Sequence, residues 1–196
     1  CGCLMARDFN GSSTVIEVPD SASLDVPNNL TLAFWFKRPS GESAGWKGLV
    51  GKRPTSGNHN YAVNYHTAGN VQFGYNDGSH KNITDATSNW TADVWNHLCG
   101  TATQVSTTTD LRLYRNGTLA AGPTNFAGNP LADTNTVQIG RSHPAGEYTD
   151  SSIAEIALWN RVLSADEIKT VYRFGPMRVP SGLKFYMPLI GASPEP

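Results

Sequence analysis

Residues 152–172 read SIAEIALWNRVLSADEIKTVY, a strand that runs straight into a short capped helix. Side chains alternate across a strand, which sets Ile153, Glu155, Ala157 and Trp159 on one face and Ala154, Ile156 and Leu158 on the other. Both faces are mostly apolar, so the strand is expected to be buried on both sides. After Asn160 and Arg161, Ser164-Ala-Asp-Glu167 has the spacing of a capping box, in which the serine hydroxyl accepts a backbone N–H and the glutamate reaches back. This predicts a helix over Ala165 to Arg173, closed by Phe174-Gly175-Pro176. Ile168, Val171 and Tyr172 repeat at helical spacing and give that helix one apolar stripe, which needs a sheet to pack on.

Outward from this stretch the chain is rich in strands. Ala6 to Phe9 and Thr14 to Val18 flank Asn10-Gly11, a tight-turn pair that predicts an opening hairpin. Pro19 to Leu24 reads as a capped turn. Leu30 to Arg38 alternates strictly, with Leu30, Leu32, Phe34 and Phe36 on one side and Thr31, Ala33, Trp35 and Lys37 on the other, as a central strand should. Further strands are expected at Lys47 to Arg53, Asn60 to His66 and Asn70 to Asn76, the last two joined through Thr67 to Gly69, with a turn at Asp77-Gly78. A meander follows over Val94 to Thr103, Asp110 to Arg115 and Thr118 to Ala121, turning at Asn116-Gly117. Val137 to Arg141 is a strand, Ser142 to Ser151 a loop, and Leu183 to Leu189 a last strand expected to return beside the first. Roughly a dozen or more short strands with glycine-bearing turns point to an antiparallel sandwich. Residues 1–5 and 192–196 have the composition of tails, and 6–191 read as one domain.

Composition narrows the function classes. Of 196 residues 16% are charged and the net charge is −1, so no basic field exists to hold nucleic acid or anionic lipid. No run approaches the ~18 apolar residues of a membrane span. Three cysteines make no disulfide framework, and Cys99 in an apolar strand reads as a small buried hydrophobe. Cys1 is open to two readings, a lipidated first residue or part of an extension ahead of Met5-Ala-Arg7.

Asp8-Phe-Asn-Gly11, Ile16-Glu-Val-Pro-Asp20, Leu32-Ala-Phe-Trp35, Trp95-Asn-His97, Leu111-Arg-Leu-Tyr-Arg-Asn-Gly117, Gln138-Ile-Gly140 and the 153–168 stretch resemble, in order, the laminin G-like domains of the concanavalin A-like superfamily. Ala157 to Ser164 adds a likeness to pentraxins. The resemblance implies an all-β antiparallel jelly-roll sandwich of two curved sheets with one short helix near the C-terminus. It also implies binding, since members of the family take glycans, proteins or calcium, although a fold does not by itself fix a function. One departure is visible: Ala33 stands where the pentraxin core disulfide would give Cys99 a partner.

Candidate site residues fall into three groups. For catalysis, the carboxylates on or beside a strand that could pair are Asp150 and Glu155. Their spacing places them on opposite faces, unlike the shared-face pair of a glycosidase. His59, His66, His80, His97 and His143 lack metal-ligand spacing on a shared element, and His97 reads as structural. For calcium, which takes six to eight oxygens, the resemblance points to Asn58, Asn60, Glu147 and Asp150, residues that are equally at home in ordinary polar loops. For a sugar, a stacking aromatic and planar hydrogen-bonding side chains are needed. Trp46, Tyr61, Tyr65, Tyr75 and Trp90 are the aromatics, with Asn64, Asn76 and Arg141 beside them, while Trp35, Trp95 and Trp159 read as core. Asn-x-Ser/Thr sequons at Asn10, Asn29, Asn82, Asn89 and Asn116 matter only in a glycosylating host.

The expectation is a non-enzymatic binding or adhesion module on an extracellular, cell or virion surface, recognising a glycan or glycoprotein with calcium as its cofactor. The alternative is a decoration or assembly protein docked on a capsid or envelope scaffold, and a homo-oligomer stays open in either case.

Overall fold

The computed structural model describes residues 6–53, 59–67, 70–141 and 146–189. The strands in chain order are β1 (Arg7–Asp8), β2 (Ile16–Val18), β3 (Asn29–Lys37), β4 (Trp46–Lys52), β5 (His59–His66), β6 (Asn70–Asn76), β7 (His80–Ala86), β8 (Asn96–Val105), β9 (Thr108–Arg115), β10 (Thr118–Ala127), β11 (Val137–Ile139), β12 (Ser152–Trp159) and β13 (Leu183–Met187), with helix α1 (Ala165–Phe174) between the last two. A seven-stranded sheet runs β1, β12, β3, β8, β9, β10 with β13 also on β12, and a six-stranded sheet runs β2, β11, β4, β5, β6, β7. All pairings are antiparallel. The two sheets form the expected jelly-roll sandwich.

Alternation builds the core. Leu30, Leu32, Phe34 and Phe36 of β3 meet Tyr61, Val63 and Tyr65 of β5 and Val71, Phe73 and Tyr75 of β6 in one apolar cluster between the sheets. Contact is close enough that a side chain at Gly100 on β8 would start 2.5 Å from the Phe73 ring. At one rim Lys52, with no exposed side-chain surface, places its ammonium 2.9 Å from Asp20, 2.7 Å from Asp25 and 3.0 Å from Asp133. Burial alone would lower the pKa of Lys52, but the bonds to Asp25, Asp20 and Asp133 raise it above the usual lysine range. The cation therefore ties the β2–β3 and β10–β11 connections to β4.

A second apolar cluster lies on the outer side of the seven-stranded sheet, where Ala33, Cys99, Ala157 and Trp159 receive Leu163, Ile168, Val171 and Val179. Helix α1 makes this layer, with both arms of the Ser164/Glu167 capping box formed and Gly175 at its C-cap. Cys99 is free and buried, and Ala33 is its direct cross-strand partner.

Four expectations are corrected. The opening hairpin does not form, because β1 pairs with β12 in one sheet and β2 with β11 in the other. Instead Asn10 Oδ1 accepts from the N–H groups of Ser12, Ser13 and Thr14, turning the chain between sheets. The alternation over 152–159 breaks at Glu155, whose φ is 55° and which sits where the β12–β3 register slips between Ala154 and Ala157. One extra residue in a strand reverses every later side chain, so Ile153, Ile156 and Leu158 face the main core while Ala157 and Trp159 face α1. The last strand does not pair with the first, since β1 and β13 divide one edge of β12 between them. Trp35 and Trp95 are half-buried rather than core; Trp35 stacks on Tyr172 at 5.5 Å and Trp95 lies under Lys37 at 5.7 Å.

Candidate functional site

The outer side of the six-stranded sheet carries no helix among the described residues, and its composition differs from everything beneath it. Since Tyr61, Val63, Tyr65, Val71, Phe73, Tyr75 and Ile83 point into the core, their neighbours Ala62, Asn64, Gln72, Gly74, Asn82 and Thr84 point outward. Register lines these up across the strands. One row runs Gln138, Gly51, Ala62, Gly74, Asn82. Beside it runs Gly48, Asn64, Gln72, Thr84, and on the other side His59, Asn76, His80. The middle row is small at its centre, and at Gly74 it must be, since a Cβ there would lie 1.9 Å from the Lys81 carbonyl oxygen.

Small floor and polar walls make a cavity of about 330 Å³ lined by Trp46, Arg53, His59, Asn64, Gln72, His80, Asn82 and Glu147. Trp46 is 38% exposed and meets His66 edge-on at 5.1 Å. Arg53 and Glu147 face each other at 4.0 Å. Burial lowers the Arg53 pKa from its usual value, against which Glu147 acts. His59 and His80 have their rings 5.8 Å apart. Asn64 Oδ1 is buried and has no hydrogen-bond partner among the described residues. Such an acceptor is costly for a fold and open to a ligand donor.

Of the residues singled out for a sugar, Trp46 and Asn64 line this cavity. Arg141 lies on the same face at the β2–β11 end, held by Glu17 at 2.8 Å and by the Tyr148 hydroxyl at 3.1 Å. Asn76 stands behind the histidines, 7% exposed, accepting from Gly78 N–H. The other four aromatics are corrected to core: Tyr61, Tyr65, Tyr75 and Trp90 are all at most 1% exposed and offer no surface for stacking. Tyr75 donates its hydroxyl to the Gly128 carbonyl, Tyr65 bonds Glu42 and Ser151, and Trp90 packs on Phe36 at 5.4 Å. Arg53, His59, Gln72, His80 and Asn82 were not expected. For Gln72, Asn82 and His80 the signal was alternation along β6 and β7 in register with Asn64; His59 escapes it because the β5–β6 register slips between His59 and Ala62, and Arg53 lies past the end of β4.

The calcium set does not come together as a cage. Asn58 lies outside the described residues. Asn60 is fully buried, its Oδ1 accepting from Val26 N–H and its Nδ2 donating to the Leu131 carbonyl. Glu147 faces Arg53 in the cavity, and Asp150 packs beside Gly11 with Oδ1 buried and unpartnered. Of the four, Asn60 is thus held by bonds within the fold. Among the described residues no three His, Cys, Asp or Glu side chains cluster as metal ligands, and no helix is long and apolar enough to cross a membrane.

Residues 10–169 match the family model Laminin_G_3 of the concanavalin A-like lectin/glucanases superfamily, and the chain belongs to that family. No curated protein matches it in sequence. Among solved structures it resembles domain 4 of AbnA, a GH43 extracellular arabinanase from Geobacillus stearothermophilus, in complex with arabinotriose: 18% identity, TM-score 0.62, over 86% of this chain and 76% of that one. The native heptameric SAP-like pentraxin of Limulus polyphemus is similar at 15% identity and TM-score 0.56, over 83% and 84% of the two chains. The Trypanosoma rangeli sialidase in complex with 2,3-difluorosialic acid matches at 18% identity and TM-score 0.62 over 86% of this chain, which spans only 28% of the sialidase. At these identities the likeness is one of fold.

Proposed function

We propose that this domain is a non-enzymatic glycan-binding module that works on an exterior surface, taking its ligand on the uncovered face of the six-stranded sheet. The observation that carries the reading is the grouping of an exposed indole, Trp46, with three outward carboxamides, Asn64, Gln72 and Asn82, around one cavity. A sugar ring offers an apolar face to stack and hydroxyl pairs that match a carboxamide's donor and acceptor. The arabinotriose complex of a similarly folded domain is consistent with this use of the fold. The reading does not call on calcium, since the groups that carry it are an indole and carboxamides.

The test is a glycan array with the purified protein, run in millimolar calcium and again with chelator. Saturable binding to at least one glycan, unchanged by chelator and reduced about tenfold or more in Trp46→Ala, is the expected result. An array silent in both conditions sinks the reading, and binding that disappears with chelator restores the metal.

A further inference from the structure

The shape and charge of the same cavity say which part of which glycan it takes, an inference that rests on the glycan reading above. Charge comes first. The lining holds one cation, Arg53, and one anion, Glu147, and they face each other. The remaining polar groups are two imidazoles and three carboxamides. An anionic sugar would have to take Arg53 from Glu147 and leave that carboxylate facing another negative charge, which is unfavourable in a partly desolvated site. Neutral hydroxyls impose no such exchange, and Asn64 Oδ1 is an acceptor with no partner for them to satisfy.

Shape comes second. The floor, Ala62 and Gly74, runs across β5 and β6 toward Asn82 on β7, which is the edge strand of its sheet. At the other end stand Arg53 and Glu147. Glu147 is anchored there by its carbonyl, which accepts from Gly48 N–H on β4. Beyond them the polar side chains of the face bond one another, with Gln138 donating to Glu17 at 3.1 Å and Arg141 to Glu17 at 2.8 Å. Among the described residues the lining thus runs from the Arg53–Glu147 pair over β4 to Asn82 on β7, beyond which the sheet has no further strand. The interior of a polymer would need an exit at both ends.

We propose that the cavity takes the end of a neutral linear glycan chain, which enters over β7 and stops against the Arg53–Glu147 pair. Its volume of about 330 Å³ lies at the low end of ligand pockets and suits about two sugar rings.

Calorimetric titration of the intact protein tests this with short linear arabino-, xylo-, manno- and gluco-oligosaccharides, with sialylated and glucuronate-bearing ones, and with each neutral parent polymer at equal sugar mass. Expected are binding to a neutral oligosaccharide, loss of about tenfold in Gln72→Ala at unchanged melting temperature, and weaker binding of the polymer in proportion to its fewer chain ends. Removing the stop with Arg53→Met brings polymer and oligosaccharide closer together. Preference for the charged sugars overturns the neutral assignment, and equal binding of polymer and oligosaccharide overturns the chain end, while both leave glycan binding itself standing. Failure of every sugar overturns the glycan reading with it.

Discussion

The two outer faces of this sandwich are built from the same kind of strand and finished in opposite ways. On the seven-stranded sheet Ala33, Cys99, Ala157 and Trp159 are apolar, and Leu163 ahead of α1 covers them together with Ile168 and Val171 of α1. On the six-stranded sheet the corresponding surface is glycine, alanine and carboxamide, and no described helix covers it. An apolar face must be covered to be stable. A face of small and planar polar groups can stay in water, and its unspent hydrogen-bonding capacity is available to a ligand. On the proposed reading the first face carries stability and the second binding, and substitutions should separate the two.

The largest effect is expected on the covered face. Trp159 is fully buried, contacts α1 and donates its indole N–H to the Val179 carbonyl at 2.8 Å. Trp159→Ala should cost about 3–5 kcal/mol in denaturant unfolding and detach α1, seen as lost helical signal. A cost below about 1 kcal/mol would mean that the helical layer is an ornament on a self-sufficient sandwich.

The second effect reads the same layer through pH. His97 on β8 is 1% exposed, packs on Trp35 at 5.2 Å and Tyr172 at 5.7 Å, and its Nδ1 has no hydrogen-bond partner among the described residues. Burial pushes its pKa down to about 3, from an ordinary 6.5. The unfolded chain then takes up a proton that the fold refuses. Stability is complete above pH 6.5 and falls as the pH drops toward 3, at up to about 1.4 kcal/mol per unit. Glu167 is held down at about 2 by Arg161 and then by the Ser164 N–H. Its contribution is present above its ordinary 4.5 and lost only below that, so the interval from pH 6.5 to 5 separates His97 from Glu167. His97→Met should flatten the stability curve there by about 2 kcal/mol; an unchanged slope would place a compensating charge beside the ring.

How far this contrast was legible in the sequence depends on the element. The helix was, because a capping box and an apolar stripe are local signals. Most strands were, because alternation is local too, although β7 was not among those expected. Which face of a strand meets the core is not local. Tyr61 and Tyr65 look like stacking aromatics from residue type alone, although Val63 between them and Phe73 opposite Val63 mark their side as the buried one. The outward set, Asn64, Gln72 and Asn82, follows once register is known, but register comes from pairing across turns. The bulge at Glu155 left no trace at all, since a non-glycine residue with positive φ is held by its surroundings rather than by its own preference. Asn10-Gly11 misled for a related reason, its turn geometry being real while its two flanking strands belong to different sheets.

The smallest effect on stability falls on the bare face, and it discriminates most. Asn64 is half-buried with an acceptor that nothing in the described structure meets. Removing a polar group that has no partner deletes a desolvation penalty and loses no bond, so Asn64→Ala should leave the melting temperature unchanged or raise it by the equivalent of about 0.5 kcal/mol. Its glycan affinity should fall about tenfold at the same time. That opposition is the mark of a residue kept for a ligand rather than for the fold. If Asn64→Ala instead destabilised the domain as a core substitution does, the uncovered sheet would be a second structural face, and the division of labour between the two sides of the sandwich would be lost.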